Sequence, residues 1–156
     1  MKTGAISGPG IRIPPPVFYV AGLAIGLGLD YLWPTPFLSK FVRYAIGSAL
    51  VLVSVLIIVP VLVRFRRTRT PFDVRKAASA LITDGPYRFS RNPSYVSLTL
   101  LYLGIGIVLN NVWIIALAVA VVLVIDLWVV RREEQHLAAK YGQQYQRYKA
   151  AVRRWL

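Results

Sequence analysis

Four apolar blocks, running from Pro16 to Trp33, Tyr44 to Val63, Ser94 to Leu109 and Val112 to Val130, contain no lysine or arginine; all 19 basic residues lie between or outside them. Each block is close to the ~20 residues that, at ~1.5 Å per residue, cross a hydrocarbon core of ~30 Å, and the third is the shortest. Lipid leaves no partner for an open backbone N–H or C=O, so such blocks fold as helices. A chain of 156 residues with 56% hydrophobic content has too little polar sequence to clothe four of these helices as a soluble bundle. The expected fold is therefore all-α: a multi-pass membrane protein with about four transmembrane helices plus a cytoplasmic C-terminal amphipathic helix.

The formal net charge of +13 has the same origin. A soluble nucleic-acid binder would spread its basic residues along polar or amphipathic segments, whereas here they crowd between apolar ones, so the expected partner is the membrane and not a nucleic acid. Arg64, Arg66, Arg67, Arg69, Arg75, Lys76, Arg88 and Arg91 fall between blocks two and three, and Arg131, Arg132, Lys140, Arg147, Lys149, Arg153 and Arg154 follow block four. The positive-inside rule places both groups, and with them both termini, in the cytoplasm; Lys40 and Arg43 oppose it but are outnumbered. Blocks three and four then form a hairpin turning at Asn110-Asn111 on the far side, and blocks one and two are joined there by a short loop containing Pro34, Pro36 and Phe37. Tyr31, Trp33, Phe37, Phe41 and Trp113 suit an outer aromatic belt, Trp128 and Trp155 an inner one. The first block lacks a small-residue cleavage site and reads as a retained helix, not a signal peptide. Its Gly22-x-x-x-Gly26 spacing permits close helix packing. The expected organisation is one membrane domain, residues 1–156, made of an N-terminal hairpin (1–63), a basic connector (64–93), a second hairpin (94–130) and a cytoplasmic helix (131–156).

Chemistry is concentrated in Gly85-Pro86-Tyr87-Arg88-Phe89-Ser90-Arg91-Asn92-Pro93-Ser94-Tyr95, at the edge of the third block. Asp84-Gly85-Pro86 signals a turn. Asn92-Pro93 suits the opening of a helix, because Asn is a favoured N-cap and Pro loses nothing at the first helical position. Such an opening aims N–H groups and a positive dipole end at the loop, and Arg88 and Arg91 add guanidinium donors suited to a carboxylate or phosphate. Contact with lipid headgroups is the plainer use of the same arginines. Gly104-Ile105-Gly106 interrupts the third block, where a neighbouring helix is the commoner reason for close approach and a ligand the less common one.

Glu133 and Glu134 are two of only six acids and follow the fourth block directly, at a helix position where the dipole favours cations. Asp126, seven residues before Glu133, is expected on the same helical face, and an acid near a membrane boundary is expected to have an arginine partner: Arg131 for Asp126, Arg88 or Arg91 for the glutamates. The tail places Leu137, Tyr141, Tyr145, Tyr148, Val152 and Trp155 on one face of an amphipathic helix broken or capped at Gly142, expected to lie in the inner interface and to cover the site. His136, the only histidine, has no companions for a metal site and is expected at the surface or in a supporting position; no metal is expected. The absence of cysteine excludes disulfides and thiolate chemistry.

Taken together, the Gly85 to Tyr95 motif, Gly104-x-Gly106, and Arg132-Glu133-Glu134-x-x-Leu137 followed by Tyr141-Gly142-x-x-Tyr145-x-x-Tyr148 resemble the isoprenylcysteine carboxyl methyltransferase and phospholipid methyltransferase superfamily of integral membrane enzymes. The resemblance covers roughly Ala80 to Leu156. It implies S-adenosylmethionine as cofactor, with Arg91, Asn92, Pro93, Ser94, Tyr95, Gly104, Ile105, Gly106 and Glu133 matching cofactor-binding positions. It implies that Arg88, Arg132 and Glu134 face a lipid or lipid-like methyl acceptor. Many members carry His where this chain has Asn92, which puts any role for imidazole basicity there in doubt. A carboxylate acceptor needs no general base, whereas an amine acceptor makes Glu134 or Asp126 the candidate base. A small four-helix transporter and a non-catalytic basic anchor are the competing functional classes.

Overall fold

The computed structural model describes residues 9–68 and 80–156, which are helical with no strand among them. Arg69, Arg75 and Lys76 of the basic connector lie outside the described residues. Helix α1 spans Pro15–Leu32, α2 Lys40–Arg67, α3 Pro93–Val108, α4 Val112–Val124 and α5 Arg131–Ala151, with a short 3-10 turn at Gly85–Arg88 and a π-helical segment, Ile125–Val130, joining α4 to α5 without a break. Among the described residues three helical stretches are long and apolar enough to cross a membrane: Pro15–Leu32, Lys40–Arg67 and the continuous Val112–Ala151. The apolar helix Pro93–Val108 is shorter, at 16 residues or about 24 Å. Large apolar side chains on these helices point outward; Val119 is 66% exposed and Leu56 63%, as side chains facing hydrocarbon are.

Helix α3 occupies the centre. It packs along α2 on one side and against α4 and α1 on the other. The helices touch where glycines permit it. A methyl group on Gly22 would lie 2.8 Å from Val121 and 2.9 Å from the Tyr102 hydroxyl, and one on Gly26 would lie 2.5 Å from Ile114, so the spaced pair in α1 is a packing surface for α3 and α4. Gly104 presses on α2 at Gly47 and Val51, and Gly106 on Ile114 and Ile115 of α4. A neighbouring helix therefore accounts for both glycines. In the same α2–α3 seam, Ser97 donates to the Ser54 carbonyl at 2.9 Å and the two hydroxyls lie 3.0 Å apart, which satisfies polar groups that lipid could not.

The α3–α4 turn ties the end of the bundle away from α5. Asn110, at φ 58°, accepts from the Phe37 and Leu38 N–H groups and donates to the Leu38 carbonyl. Asn111 caps α4 at the Ile114 N–H and donates to the Gly26 carbonyl, while Trp113 donates to the Trp33 carbonyl. The α1–α2 loop and the α3–α4 turn thus share one end, which leaves the Gly85–Tyr95 loop and α5 at the other.

These contacts separate the glycines sharply. Gly26→Val should destabilise the protein by about 1–3 kcal/mol through overpacking against Ile114, whereas Gly28, with open space around it, should accept Ala without loss. Thermal unfolding in a mild detergent measures both.

Candidate active site

The loop before α3 is built from both of its ends. Arg64, near the end of α2, pairs with Asp84 at 2.7 Å. Gly85 follows at φ +60°, with the Arg64 guanidinium 3.2 Å from where a Cβ would stand, so backbone conformation and space both require glycine. Pro86 sets the 3-10 turn, and the Tyr87 ring meets Phe65 edge-on at 6.4 Å. From this anchored turn the chain runs through Ser90, Arg91 and Asn92 into α3.

Asn92 stands at the N-cap with Pro93 next, as their sequence predicts, but its side chain does not cap. Its Nδ2 instead donates to the Arg154 carbonyl at 3.0 Å. Ser90 also donates to that carbonyl, at 3.3 Å, and the Arg91 N–H donates to the Arg153 carbonyl at 2.9 Å. Tyr148 donates its hydroxyl to the Tyr87 carbonyl at 2.7 Å. The last residues of the chain are thereby bound to the loop. Pro93 has no N–H and that of Tyr95 returns to the Asn92 carbonyl, so the helix end offers fewer open donors than a helix start otherwise would.

The acids arrive from the other side. The π-helical segment 125–130 widens one turn by about one residue, which shifts the helical register. Asp126 consequently shares a partner with Glu134, eight residues on, and not with Glu133. That partner is Arg154: its Nε and Nη2 donate to the two Glu134 oxygens at 3.2 and 3.0 Å, and its Nη1 lies 3.4 Å from Asp126. Arg91 Nη2 meets Glu134 Oε1 from the opposite side at 3.2 Å, both side chains being under one-tenth exposed. Asp126 also receives the Trp155 indole N–H at 3.2 Å and Arg131 at 3.4 Å. Glu134 and Asp126, the two acids read from the sequence as candidate bases, are thus both held by guanidinium groups.

What remains uncommitted lies beside this cluster. Arg91 Nε and Nη1 are buried without a hydrogen-bond partner among the described residues. Among the described residues Glu133 accepts only the Tyr95 hydroxyl, at 3.1 Å. Burial pushes its carboxyl up to about 7; the Tyr95 bond lowers it and the Glu134 charge raises it further. Tyr145, fully buried on α5, meets Tyr148 edge-on at 6.2 Å, and burial raises the phenol pKa of both. The arrangement therefore combines two unsatisfied cationic donors, one carboxyl poised between charge states, and aromatic walls.

Of the residues singled out from the sequence, Arg91, Asn92, Pro93, Ser94, Tyr95, Glu133 and Glu134 come together here. Gly104, Ile105 and Gly106 do not: they lie eleven or more residues along α3, about 16 Å from its start, and the glycines pack on other helices. Arg88 and Arg132 are exposed and make no hydrogen bond or ion pair among the described residues. His136 is buried, with Nε2 unpartnered; burial and the Lys140 charge lower its pKa. Sequence reasoning missed Arg154, Trp155 and Tyr87. The usable signal was that Asp126 and Glu134 need cations, and Arg153-Arg154 follow a helix that a glycine interrupts.

A phospholipid methyltransferase family model matches residues 42–144, which include α3, α4 and the Glu133-Glu134 pair. An uncharacterized protein of Haemophilus influenzae is 40% identical over 62 residues, 40% of this chain and 98% of that protein. No solved structure matches the chain.

Arg154→Ala should destabilise the protein by roughly 1–3 kcal/mol, below the ~3–5 kcal/mol of a fully buried pair because Arg154 is about one-third exposed. Proteolysis of the tail should accelerate in parallel, and limited digestion with mass mapping would detect it.

Proposed function

The chain belongs to the phospholipid methyltransferase family, and from that premise we propose that it transfers a methyl group from S-adenosylmethionine to a lipid-like acceptor at the membrane edge. The observation that carries this reading is the pair of buried nitrogens of Arg91 with no hydrogen-bond partner among the described residues, on a guanidinium held by Glu134, whose chain neighbour is the half-buried Glu133. Orphaned buried guanidinium donors cost free energy unless an anion satisfies them, and an amino-acid carboxylate is such an anion.

In this reading the cofactor's carboxylate sits against Arg91 and accepts from one of its open donors, Nε or Nη1, which lie on different edges of the guanidinium. Glu133, with the tyrosine faces of Tyr95 and Tyr145, accommodates its cationic portion. S-adenosylmethionine supplies, when bound, a methyl group activated for displacement on a positively charged sulfur. The residues of the chain supply orientation and a water-poor surrounding, the main requirements of an in-line displacement. Glu134 has a positioning role: it fixes Arg91 by one of its three nitrogens and leaves two for the ligand. Asn92 acts as a hydrogen-bond donor to the Arg154 carbonyl, a task that needs no basicity and suits asparagine where relatives carry histidine. Exposed Arg88 and Arg132 are left to meet acceptor headgroups. If the acceptor is an amine, Glu133 is better placed than Glu134 or Asp126 to take its proton, since neither guanidinium cluster holds it. We propose further that this end of the bundle, with both termini, faces the cytoplasm, as the clustering of basic residues there favours.

Equilibrium binding of labelled S-adenosylmethionine to the protein in detergent tests the proposal. Saturable binding is expected, weakened at least about tenfold in both Arg91→Ala and the isosteric Glu133→Gln. Undiminished binding in both variants would sink the residue assignment. The pH dependence has a definite sign. Glu133 is held protonated up to about 7, and a cationic ligand favours its ionised form. Affinity should therefore rise with pH and level off above about 7, by at most about tenfold per unit below it, and the Glu133→Gln variant should lose that dependence.

A further inference from the structure

A cavity of about 330 Å3 opens on the other side of Glu134, lined by Arg131, Glu134, Gln135, Ala138, Lys149 and Arg154. Its size is at the small end of the roughly 300–1,000 Å3 of ligand pockets. Two separate stretches build it. Arg131, Glu134, Gln135 and Ala138 follow the i, i+3, i+4, i+7 spacing of one helical face. Lys149 and Arg154 come from beyond Gly142, where the helix departs from helical geometry at φ 51° and ψ −124°.

The charges in this cavity do not balance. Arg154 is committed to Glu134 and Asp126, and Arg131 is held loosely by Asp126 at 3.4 Å. Lys149 makes no ion pair or hydrogen bond among the described residues. Three cations thus face one carboxylate of the lining, and one of them has no counter-charge. Planar guanidinium donors beside a mobile ammonium are what a phosphate group is bound by.

The position narrows the ligand. The cavity begins directly after Val130, where the apolar segment ends, and Trp128, 62% exposed, stands one turn earlier. In a chain that spans a membrane this is the level of the lipid headgroups. We propose that the cavity is a phosphate-binding site, separate from the Arg91–Glu133 site, and that it seats the phosphate of an anionic lipid headgroup. Arg131 and Lys149 contribute most of the attraction, because they are the least neutralised of the lining cations. The inference does not depend on methyl transfer.

The test uses the full chain in neutral detergent, with the thermal midpoint followed against three additives: dihexanoyl phosphatidic acid, inorganic phosphate and dihexanoylglycerol. Phosphatidic acid is expected to raise the midpoint saturably, and dihexanoylglycerol to do nothing. Lys149→Glu should weaken the apparent affinity for phosphatidic acid at least about tenfold, with Lys149→Ala intermediate and the additive-free midpoint unchanged in both. An equal, Lys149-dependent shift with inorganic phosphate would keep the phosphate site and assign it to a free anion instead of a lipid. A response to dihexanoylglycerol as large as that to phosphatidic acid would overturn the proposal, as would the absence of any saturable shift or an identical shift in Lys149→Glu and the parent chain. Binding of S-adenosylmethionine to the same samples is a separate readout, and its failure would bear on the methyl-transfer reading alone.

Discussion

The arrangement of the polar end of this protein depends on one buried carboxylate. Burying a carboxylate costs several kcal/mol even after relaxation unless it is paired, and Glu134, under one-tenth exposed, is met by two guanidinium groups. Arg91 comes from the loop before α3 and Arg154 from the end of the chain, so neutralising Glu134 forces three remote stretches to one point. The backbone then follows the side chains. Asn92 and Ser90 reach the Arg154 carbonyl, Arg91 reaches the Arg153 carbonyl, and Tyr148 reaches the Tyr87 carbonyl. Hydrogen bonding is incomplete for Arg91, whose other two nitrogens are buried without a partner among the described residues, and those open donors give the site its appetite for an anion.

The apolar part of the molecule holds this end in place. Its seams close on glycine and serine, and its opposite end is tied by Asn110 and Asn111. At the other end the helical geometry changes at the α4–α5 junction. The π-helical segment at 125–130 matters there: it moves the helical register by about one residue and so brings Asp126 into line with Glu134, leaving Glu133 facing Tyr95. Two adjacent glutamates thereby take different jobs, one clamped and one poised between charge states.

Much of this was legible in the sequence. Apolar blocks free of lysine and arginine fixed the helices to within a few residues, because the demand for backbone pairing in lipid leaves few options. The loop and the two glutamates announced themselves as chemistry that a connector does not need. Three things were not legible. The π-helical turn has no signature in a run of Ile, Leu, Trp and Val, so the face shared by Asp126 was misassigned. Gly104 and Gly106 look the same whether a ligand or a helix approaches them, and only the packing against Gly47, Val51, Ile114 and Ile115 decides for the helix. Arg154 was hidden among basic residues with an obvious topological purpose; its role depends on a chain reversal near Gly142 that brings residue 154 back to residue 134.

The account's central claim is that Arg91, pinned by Glu134, presents its remaining nitrogens to the cofactor. The most direct measurement is an experimental structure of the full chain in lipid with S-adenosylhomocysteine bound. The account predicts ligand density with its carboxylate within hydrogen-bond distance of Arg91 Nε or Nη1, near Glu133 and Tyr95, while the Arg91–Glu134–Arg154 cluster stays intact. Ligand bound elsewhere, or bound with those two nitrogens still unpartnered, would contradict it.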